Sequence, residues 1–311
     1  MRRSIHVSGT ADMAIAEETP KITYKVPKKR HPVLQFAITQ PLGAAGLVFI
    51  IALFIAGIFA EYVAPYDPLE LDYGAMLAPP SWDHLMGTDA FGRDVFSRII
   101  YGARTALAVG FLSSALGSGI GAVIGVVSAY FGGRIDMAIQ RFMDILLSFP
   151  IIVLALAVVA VLGKWPIGGL DINLIIAIAI PMIPKVSRVV RSAALAIREM
   201  PYVDAARAAG YGHTRIIFRH IAPNVVAPFL IMFTAFIAQA ILLEASLSFL
   251  GLGVTEPTAA WGLMLSGTSQ EFYQQAPWMI IFPGLAISLA VFAFNLFGDS
   301  LRDWLDPKIK I

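Results

Sequence analysis

The chain of 311 residues contains no cysteine, and only 14% of its residues are charged. Without cysteine the chain can form no disulfide, no iron–sulfur cluster and no cysteine-bound zinc site. Soluble globular proteins are about 25% charged and about 45–50% apolar, whereas 58% of this chain is hydrophobic. The net charge of +2 is too small for a surface that follows nucleic-acid phosphates. The composition therefore indicates an integral membrane protein with no nucleic acid as its partner.

Apolar stretches long enough to cross a bilayer, which takes about 20 helical residues, recur along the chain. They are apolar on every face, as lipid-embedded helices are, and do not alternate in polarity as barrel strands do. Five of them contain no Asp, Glu, Lys or Arg, and a sixth is shorter. We predict an all-α membrane protein with six transmembrane helices, at 41–60, 105–133, 145–163, 172–190, 221–243 and 272–298.

The distribution of basic residues predicts the orientation of these helices. With a cytoplasmic N-terminus, four of the 23 Lys and Arg residues lie outside and the other 19 lie inside. Such an asymmetry follows the positive-inside rule, so we predict that both termini are cytoplasmic. The predicted segments are a tail at 1–40, a first transmembrane helix at 41–64, an external loop at 65–104, a core at 105–298 and a tail at 299–311.

The external loop 65–104 is acidic and contains residues typical of a helix N-terminus. Thr88 or Asp89 is suited to accept the free N–H groups of a first helical turn, which favours a structural cap. The alternative is a docking surface for an external partner. That surface would consist of His84, Thr88, Asp89, Arg93 and Asp94. No metal site is predicted, because the pair of candidate ligands here is fewer than the three or four that metals usually take.

The internal loop 185–223 contains a second short helix. Pro201 suits the first helical position, and Asp204 complements the helix dipole in the first turn. Alanines follow, and Gly210 is suited to end the helix in a left-handed conformation. The apolar side chains are too small to bury much area in lipid. We therefore expect this helix to fit a groove on a partner protein.

This run, Asp204-Ala-Ala followed by Gly210 and Pro223, resembles the EAA loop of ABC-importer permease subunits, with aspartate where glutamate is usual. In that family the loop carries the coupling helix that docks on the ATPase subunit. The segments 87–98, 130–136 and 244–253 are similar to those of C-type permeases in the dipeptide, oligopeptide and nickel branch.

The resemblance implies a type I ABC-importer permease fold in a prokaryotic plasma (inner) membrane. It implies as partners a second homologous permease, two ATPase subunits that hold ATP and magnesium, an extracytoplasmic solute-binding protein and the lipid bilayer. The expected solutes are di- or oligopeptides, with nickel or another small solute as the alternative. The coupling loop implied by the resemblance consists of Pro201, Tyr202, Asp204, Ala205, Ala206, Gly210 and Pro223.

Other features limit the function. The sequence contains no P-loop, so we expect a transport subunit without its own ATPase site and with no bound cofactor.

Glu244 ends the predicted fifth span. Two roles are open for it: it lines the pathway or an outer gate together with Ser246 and Ser248, or it caps a turn at the membrane interface. Two other classes remain open, an ion-driven carrier and a membrane scaffold. The carrier would normally place acids or histidines at mid-span, and the scaffold would have no need of the coupling loop.

Overall fold

The computed structural model describes residues 32–167 and 170–305. Most of the predicted N-terminal tail, 1–31, and the end of the C-terminal tail, 306–311, lie outside the described residues. Within them the only strands are β1 (Pro166–Ile167) and β2 (Leu170–Asp171), which form a small antiparallel hairpin. All other regular structure there is helical, which confirms the predicted all-α class.

Fourteen α-helices make up the described fold. The first seven are α1 (Pro32–Thr39), α2 (Pro41–Ile58), α3 (Ala60–Val63), α4 (Val95–Phe131), α5 (Gly133–Leu147), α6 (Ile151–Leu162) and α7 (Ile172–Ala179). The others are α8 (Ile183–Arg198), α9 (Pro201–Ala208), α10 (His213–Ile216), α11 (Val226–Phe249), α12 (Trp261–Met264), α13 (Thr268–Glu271) and α14 (Trp278–Leu305). A π-helical turn (Ile217–Ile221) and a 3₁₀ turn (Ala222–Val225) join α10 to α11.

Five helical stretches of the described residues are long and apolar enough to cross a bilayer. They are Pro41–Ile58, Val95–Phe131, Ile172–Arg198, His213–Phe249 and Trp278–Leu305. A sixth span results if α5 and α6 are taken together, and these two helices meet at a bend of 94°. The six predicted spans therefore correspond in order to these elements, although their bounds differ.

The predicted end of the external loop at 104 is wrong, because charged residues belong to α4. Asp94 caps this helix: its carboxylate accepts a hydrogen bond of 2.7 Å from the backbone N–H of Ser97. Neither Thr88 nor Asp89 is the cap. The side chain of Arg98 is buried in the first turn, where it donates to the carbonyl oxygen of Pro68 at 3.1 Å. A search for stretches without charged residues therefore places the start of this helix too late in the sequence.

Other predicted bounds shift for the same reason. The helical span that begins at Ile172 continues to Arg198, so the predicted internal loop 185–223 begins as helix. Helix α14 runs beyond the predicted end at 298 into the C-terminal tail. The first helix is interrupted at Phe59, which separates α2 from α3 within the predicted 41–64.

Helix α4 lies at the centre of the fold, in contact with α2, α7, α8 and α11. Three of its glycines, four residues apart, permit close approach of the neighbouring backbone. A Cβ at Gly125 would stand 2.6 Å from the carbonyl oxygen of Ser187, and one at Gly121 would stand 2.8 Å from the Cβ of Val186. Gly117 faces the carbonyl oxygen of Ala179 in the same way. The small-residue spacing therefore serves packing within this chain.

Substitution of Gly125 by alanine tests this packing. We expect Gly125→Ala to destabilise the protein by about 1–3 kcal/mol, because the added methyl group overpacks against backbone that cannot give way. Gly119→Ala is the matched control, since a Cβ at that position of the same helix meets no atom within 4 Å. The measurement is the midpoint of thermal unfolding in detergent, and equal midpoints for both variants would contradict the close packing.

Candidate functional site

Helix α9 has the form that the sequence predicts. Pro201 is its first residue, and Asp204 lies in the first turn, where it accepts a hydrogen bond of 2.9 Å from Arg207. Gly210 follows the helix with φ +78°. The N–H groups of Gly210 and Tyr211 donate to the carbonyl oxygens of Arg207 and Ala206 at 2.9 and 3.1 Å. These two bonds form a Schellman motif, which ends the helix.

The two faces of α9 differ. Val203 and Ala206 are buried against the rest of the fold, whereas Ala205 and Ala208 are exposed. The predicted coupling residue Ala206 therefore faces inward and supports the helix. The exposed side carries the methyl groups of Ala205 and Ala208 beside the ion pair of Asp204 and Arg207, so it offers a partner small side chains next to one charged pair. Pro223 is exposed in the 3₁₀ turn that precedes α11.

Aromatic and polar contacts connect α9 to the segment that leads into α11. Asn224 donates to the hydroxyl oxygen of Tyr202 at 3.3 Å. The ring of His220 lies between Tyr202 and Tyr211, with centroid distances of 6.3 and 6.1 Å. The guanidinium of Arg215 lies 3.9 Å from the centroid of the Tyr211 ring. A displacement of α9 would therefore act directly on the turns at the start of α11.

Ionic contacts at the same end of the fold join α4, α5 and α8. The guanidinium of Arg191 on α8 forms two hydrogen bonds with the carboxylate of Asp136 on α5, one of them at 2.6 Å. Arg198 donates to the carbonyl oxygen of Ala129 at 2.9 Å. The hydroxyl of Tyr130, also near the end of α4, forms a hydrogen bond of 2.7 Å with Nδ1 of His213. The three helices and α10 are thus fixed to one another beside α9.

At the opposite end of α4, two buried arginines and the half-exposed Glu256 hold the loop 64–94 against the loop that follows α11. Arg93 donates to Asp89 at 2.6 Å and to Glu256 at 2.9 Å. Burial disfavours the charge of Arg93, but the hydrogen bonds to Glu256 and Asp89 outweigh it and raise its pKa above the ordinary value. Arg98 lies within 4 Å of the same two carboxylates. We call Asp89, Arg93, Arg98 and Glu256 the loop latch.

The predicted docking residues are mostly interior residues. Thr88, Asp89, Arg93 and Asp94 are buried. The hydroxyl of Thr88 accepts a hydrogen bond from the N–H of Ala78 at 2.8 Å, and His84 pairs with Asp94 at 3.0 Å. The prediction that these side chains form an exposed docking surface is therefore wrong, because they stabilise the loop from inside. Trp82, by contrast, is 95% exposed on this loop.

Glu244 is 1% exposed and lies inside the fold of this chain. The hydroxyl of Ser248 donates to its carboxyl oxygen at 2.7 Å, and the same hydroxyl accepts from the N–H of Val254 at 3.1 Å. Glu244 and Ser248 thus hold the turn after α11, which favours the structural interpretation over a pathway lining. Ser246 is partly exposed beside Leu242, and its hydroxyl donates to the carbonyl oxygen of that residue.

No cluster of three or more His, Asp or Glu side chains suitable for a metal ion occurs in the described parts of the chain.

Comparison with known proteins identifies the family. Residues 121–311 match the family model described as binding-protein-dependent transport system inner membrane component. The chain belongs to this family. Residues 38–80 also match the N-terminal transmembrane domain of oligopeptide transport permease C. The protein is therefore a multi-pass permease subunit of an ABC importer. In this family ATP is hydrolysed on partner subunits, and a separate binding protein delivers the solute.

Several curated relatives resemble the permease over most of its length. It is 45% identical over 269 residues to the dipeptide transport system permease protein DppC of Alkalihalophilus pseudofirmus, covering 86% of each chain. It is 43% identical over 274 residues to the glutathione transport system permease protein GsiD of Pectobacterium atrosepticum, covering 88% of this chain and 89% of the relative. The di/tripeptide permease DppC of Pseudomonas aeruginosa is 42% identical over 271 residues, covering 85% of this chain and 88% of the relative.

A solved structure shows the same fold. A chain of the MetNI methionine ABC transporter, crystallised in an inward-facing conformation, superposes with a TM-score of 0.51 at 20% identity. The superposition covers 68% of the permease and 97% of that chain. The likeness confirms the predicted type I permease fold.

Sequence reasoning missed the ionic partners in this permease. The sequence alone assigned no partner to Arg188 or Arg191, although each pairs with an aspartate of α5. The sequence analysis also assigned no role to Glu256, which completes the loop latch from a distant part of the chain. The signal available in the sequence was the spacing of Asp136 and Asp144, which puts both carboxylates on one face of a helix.

The loop latch predicts a specific effect of Glu256. We expect Glu256→Gln to destabilise the permease by about 1 kcal/mol, because the buried Arg93 loses one of two carboxylates while half-exposed Glu256 is partly screened by water. The control is Glu271→Gln, an exposed acid in the same connection between α11 and α14. Thermal unfolding of both variants in detergent measures the difference. An unchanged midpoint for Glu256→Gln would show that the contact contributes no stability.

Proposed function

We propose that this permease is one of two homologous membrane subunits of an ATP-driven importer for di- or oligopeptides. The relatives support the solute class, since their printed substrates are a dipeptide, di- and tripeptides, and glutathione, which is itself a tripeptide. Two ATPase subunits would bind ATP and magnesium on one side, and an extracytoplasmic binding protein would bring the peptide to the other. The two permeases would enclose the pathway between them.

The structure of α9 supports the part of this proposal that concerns coupling between ATP hydrolysis and transport. The helix exposes Ala205 and Ala208 beside the Asp204–Arg207 ion pair, and it buries Val203 and Ala206. It is held by the contacts of Tyr202 and Tyr211 to the turns before α11. A groove on an ATPase subunit would receive the exposed face. Closure of the two ATPases would then move α9, and with it α8 and α11, so that the pathway opens alternately to each side.

Gly210 is the residue at which this coupling is most readily tested. We expect Gly210→Ser to reduce peptide uptake and peptide-stimulated ATP hydrolysis several-fold, because φ +78° is unfavourable by about 1–2 kcal/mol for a residue with a Cβ. A Cβ at this position meets no atom within 4 Å, so the substitution chiefly tests backbone strain. The measurements are uptake and ATP hydrolysis by the complete complex in proteoliposomes.

The matched control is Gly212→Ser. This glycine also has open space around it, but it adopts an ordinary backbone conformation before α10, where serine is a favoured cap. We expect its transport activity to remain close to that of the wild type. Normal coupling in Gly210→Ser would refute the proposed role of α9.

The orientation of the chain is part of the proposal. We place the α9 end of the fold and both termini in the cytoplasm. The support is that exposed Arg134, Arg141, Arg207, Arg215 and Arg219 lie in or between the helices at this end.

Because the chain has no cysteine, single cysteines can report this orientation. We expect Trp82→Cys, but not Ala209→Cys, to react with a membrane-impermeant maleimide in right-side-out vesicles, since both positions are exposed at opposite ends of the fold. Permeabilised vesicles should allow both to react. The reverse labelling pattern would invert the topology and move α9 to the outside.

A second candidate solute is a nickel complex, which the branch of the family also includes. Uptake assays with the reconstituted complex distinguish the two, with labelled dipeptide and nickel measured in parallel. Uptake of peptide only with ATP and the partner ATPases supports the proposal. Uptake by the permease alone, driven by an ion gradient, would instead indicate a secondary transporter.

A further inference from the structure

Arg104 is an exposed cation at the end of the fold opposite α9. Its side chain is 47% exposed, whereas Arg93 and Arg98 of the loop latch are buried. A Cβ at Gly57 would stand 3.2 Å from the backbone nitrogen of Arg104, so this residue is level with the last turn of α2. Since the span α2 ends at Ile58, Arg104 lies where the hydrocarbon of the bilayer meets the headgroups.

Hydrogen bonds fix the guanidinium of Arg104 and leave part of it open. Nε donates to the carbonyl oxygen of Gly57 at 2.9 Å, and Nη2 donates to that of Ile58 at 3.1 Å. The carboxylate of Glu61 is 3.8 Å away and 68% exposed, so water screens this pair. A guanidinium has five N–H groups, and the two bonds to α2 leave three for other acceptors.

An apolar groove of about 540 Å³ leads from Arg104 along the junction of α2 and α4. Apart from Arg104, every side chain that lines it is apolar, and Phe54, Leu107 and Leu112 are among them. Along α4 the groove extends from Arg104 to Leu112, about 12 Å at the helical rise. One leaflet of the hydrocarbon core is about 15 Å deep. The groove therefore matches the depth of one leaflet and has a cation at its outer end.

The groove is continuous with a surface suited to lipid. Ile51, Ile55 and Ile58 follow one face of α2 at helical spacing, and all three are exposed. Phe111 and Leu112 are exposed on the α4 side of the groove. Large apolar side chains exposed on a membrane span are in contact with acyl chains. The groove thus opens to the bilayer, and its occupant is a molecule of the bilayer.

A more polar pocket of about 510 Å³ lies beside the groove. Arg104 and Ala108 line both, so the pocket and the groove adjoin at these residues. Asp67 also lines the pocket. Its carboxylate accepts a hydrogen bond from the N–H of Leu69 at 2.8 Å and pairs with no cation of the described residues. The pocket therefore contains one cation and one carboxylate that both have capacity for an external partner.

These two charges lie at different depths. The N–H of Tyr66, next to Asp67 in the chain, donates to the hydroxyl oxygen of Ser97 at 3.2 Å. Ser97 precedes Arg104 by about two helical turns, roughly 10 Å along α4. Asp67 is therefore further from the hydrocarbon than Arg104. An apolar groove, a cation and then a carboxylate are complementary to a lipid that carries a phosphate next to its glycerol and an ammonium beyond it.

We propose that the groove and the pocket bind one aminophospholipid of the type of phosphatidylethanolamine. An acyl chain occupies the groove, Arg104 donates to the phosphate, and Asp67 accepts from the ammonium. Arginine suits this role because its charged N–H groups form strong hydrogen bonds with phosphate oxygens. The bound lipid fills the junction of α2 and α4 and so joins α2 to the rest of the permease. This inference does not depend on which solute is transported.

Native mass spectrometry of the complete complex, delipidated in detergent, tests the site. The probes are phosphatidylethanolamine and phosphatidylglycerol with the same acyl chains. We expect phosphatidylethanolamine to bind more tightly, and Arg104→Gln to raise its Kd about tenfold, since a charge-assisted bond to phosphate is lost. Lys164→Gln removes another exposed cation of the chain and is the matched control, with an expected Kd equal to that of the wild type. An unchanged Kd in Arg104→Gln would overturn the proposal.

Two further variants separate direct contact from a structural role. Arg104→Lys keeps the charge but cannot form both bonds to α2, so we expect it to retain the lipid. Loss of the lipid in this variant would show that Arg104 acts only by holding α2. We expect Asp67→Asn to abolish the preference for phosphatidylethanolamine over phosphatidylglycerol. A preserved preference would overturn recognition of the ammonium by Asp67.

Photolabelling tests the position of the acyl chain. Phosphatidylethanolamine with a diazirine in its acyl chain should label the segment 104–112 in the wild type but not in Ala108→Phe, where a ring fills the groove and both charges remain. Equal labelling of this segment in both proteins would overturn the assignment of the groove.

A single cysteine tests whether a protein covers the groove instead. Because the chain has no cysteine, Leu112→Cys can be modified at this position alone with a photoactivatable maleimide. We expect no crosslink to the second permease of the complete complex. Such a crosslink would show that the groove is a protein interface and would overturn the lipid site.

Discussion

The fold depends on the close approach of α4 to α7 and α8 at three glycines. Hydrophobic burial gives little drive for association inside a bilayer, so van der Waals packing at short range must hold spans together. Gly117, Gly121 and Gly125 allow the backbone of the span Ile172–Arg198 to lie directly against α4. The long α4 can then serve as the support for helices at both of its ends.

Charged groups complete the arrangement at each end of α4. The loop latch fixes the connection before α4 to the connection after α11. At the other end, the pair of Arg191 and Asp136 ties α8 to α5, and the Tyr130–His213 bond ties α4 to α10. Since α9 lies between α8 and α10 in the chain, its position is coupled to several spans at once. This connection suits a helix that transmits motion.

The surface of the permease divides by polarity. The exposed faces of α2 and α14 carry Ile, Leu and Val, as contact with lipid requires. The exposed side of α8 carries Lys185, Arg188 and Ser192, and that of α9 carries Ala205 and Ala208 beside the Asp204–Arg207 pair. The apolar exposed faces of α2 and α14 thus differ from the polar or small-residue faces of α8 and α9.

Local signals in the sequence determined the elements. The apolar runs predicted the spans, and Pro201 and Gly210 predicted both ends of α9, because a proline or glycine constrains the backbone of its own turn. The tertiary structure decided which charges meet. Arg93 pairs with the distant Glu256 as well as with Asp89, Glu244 is buried, and Arg191 meets Asp136 of α5. Such outcomes depend on contacts between distant segments, and a window of hydrophobicity contains no information about them.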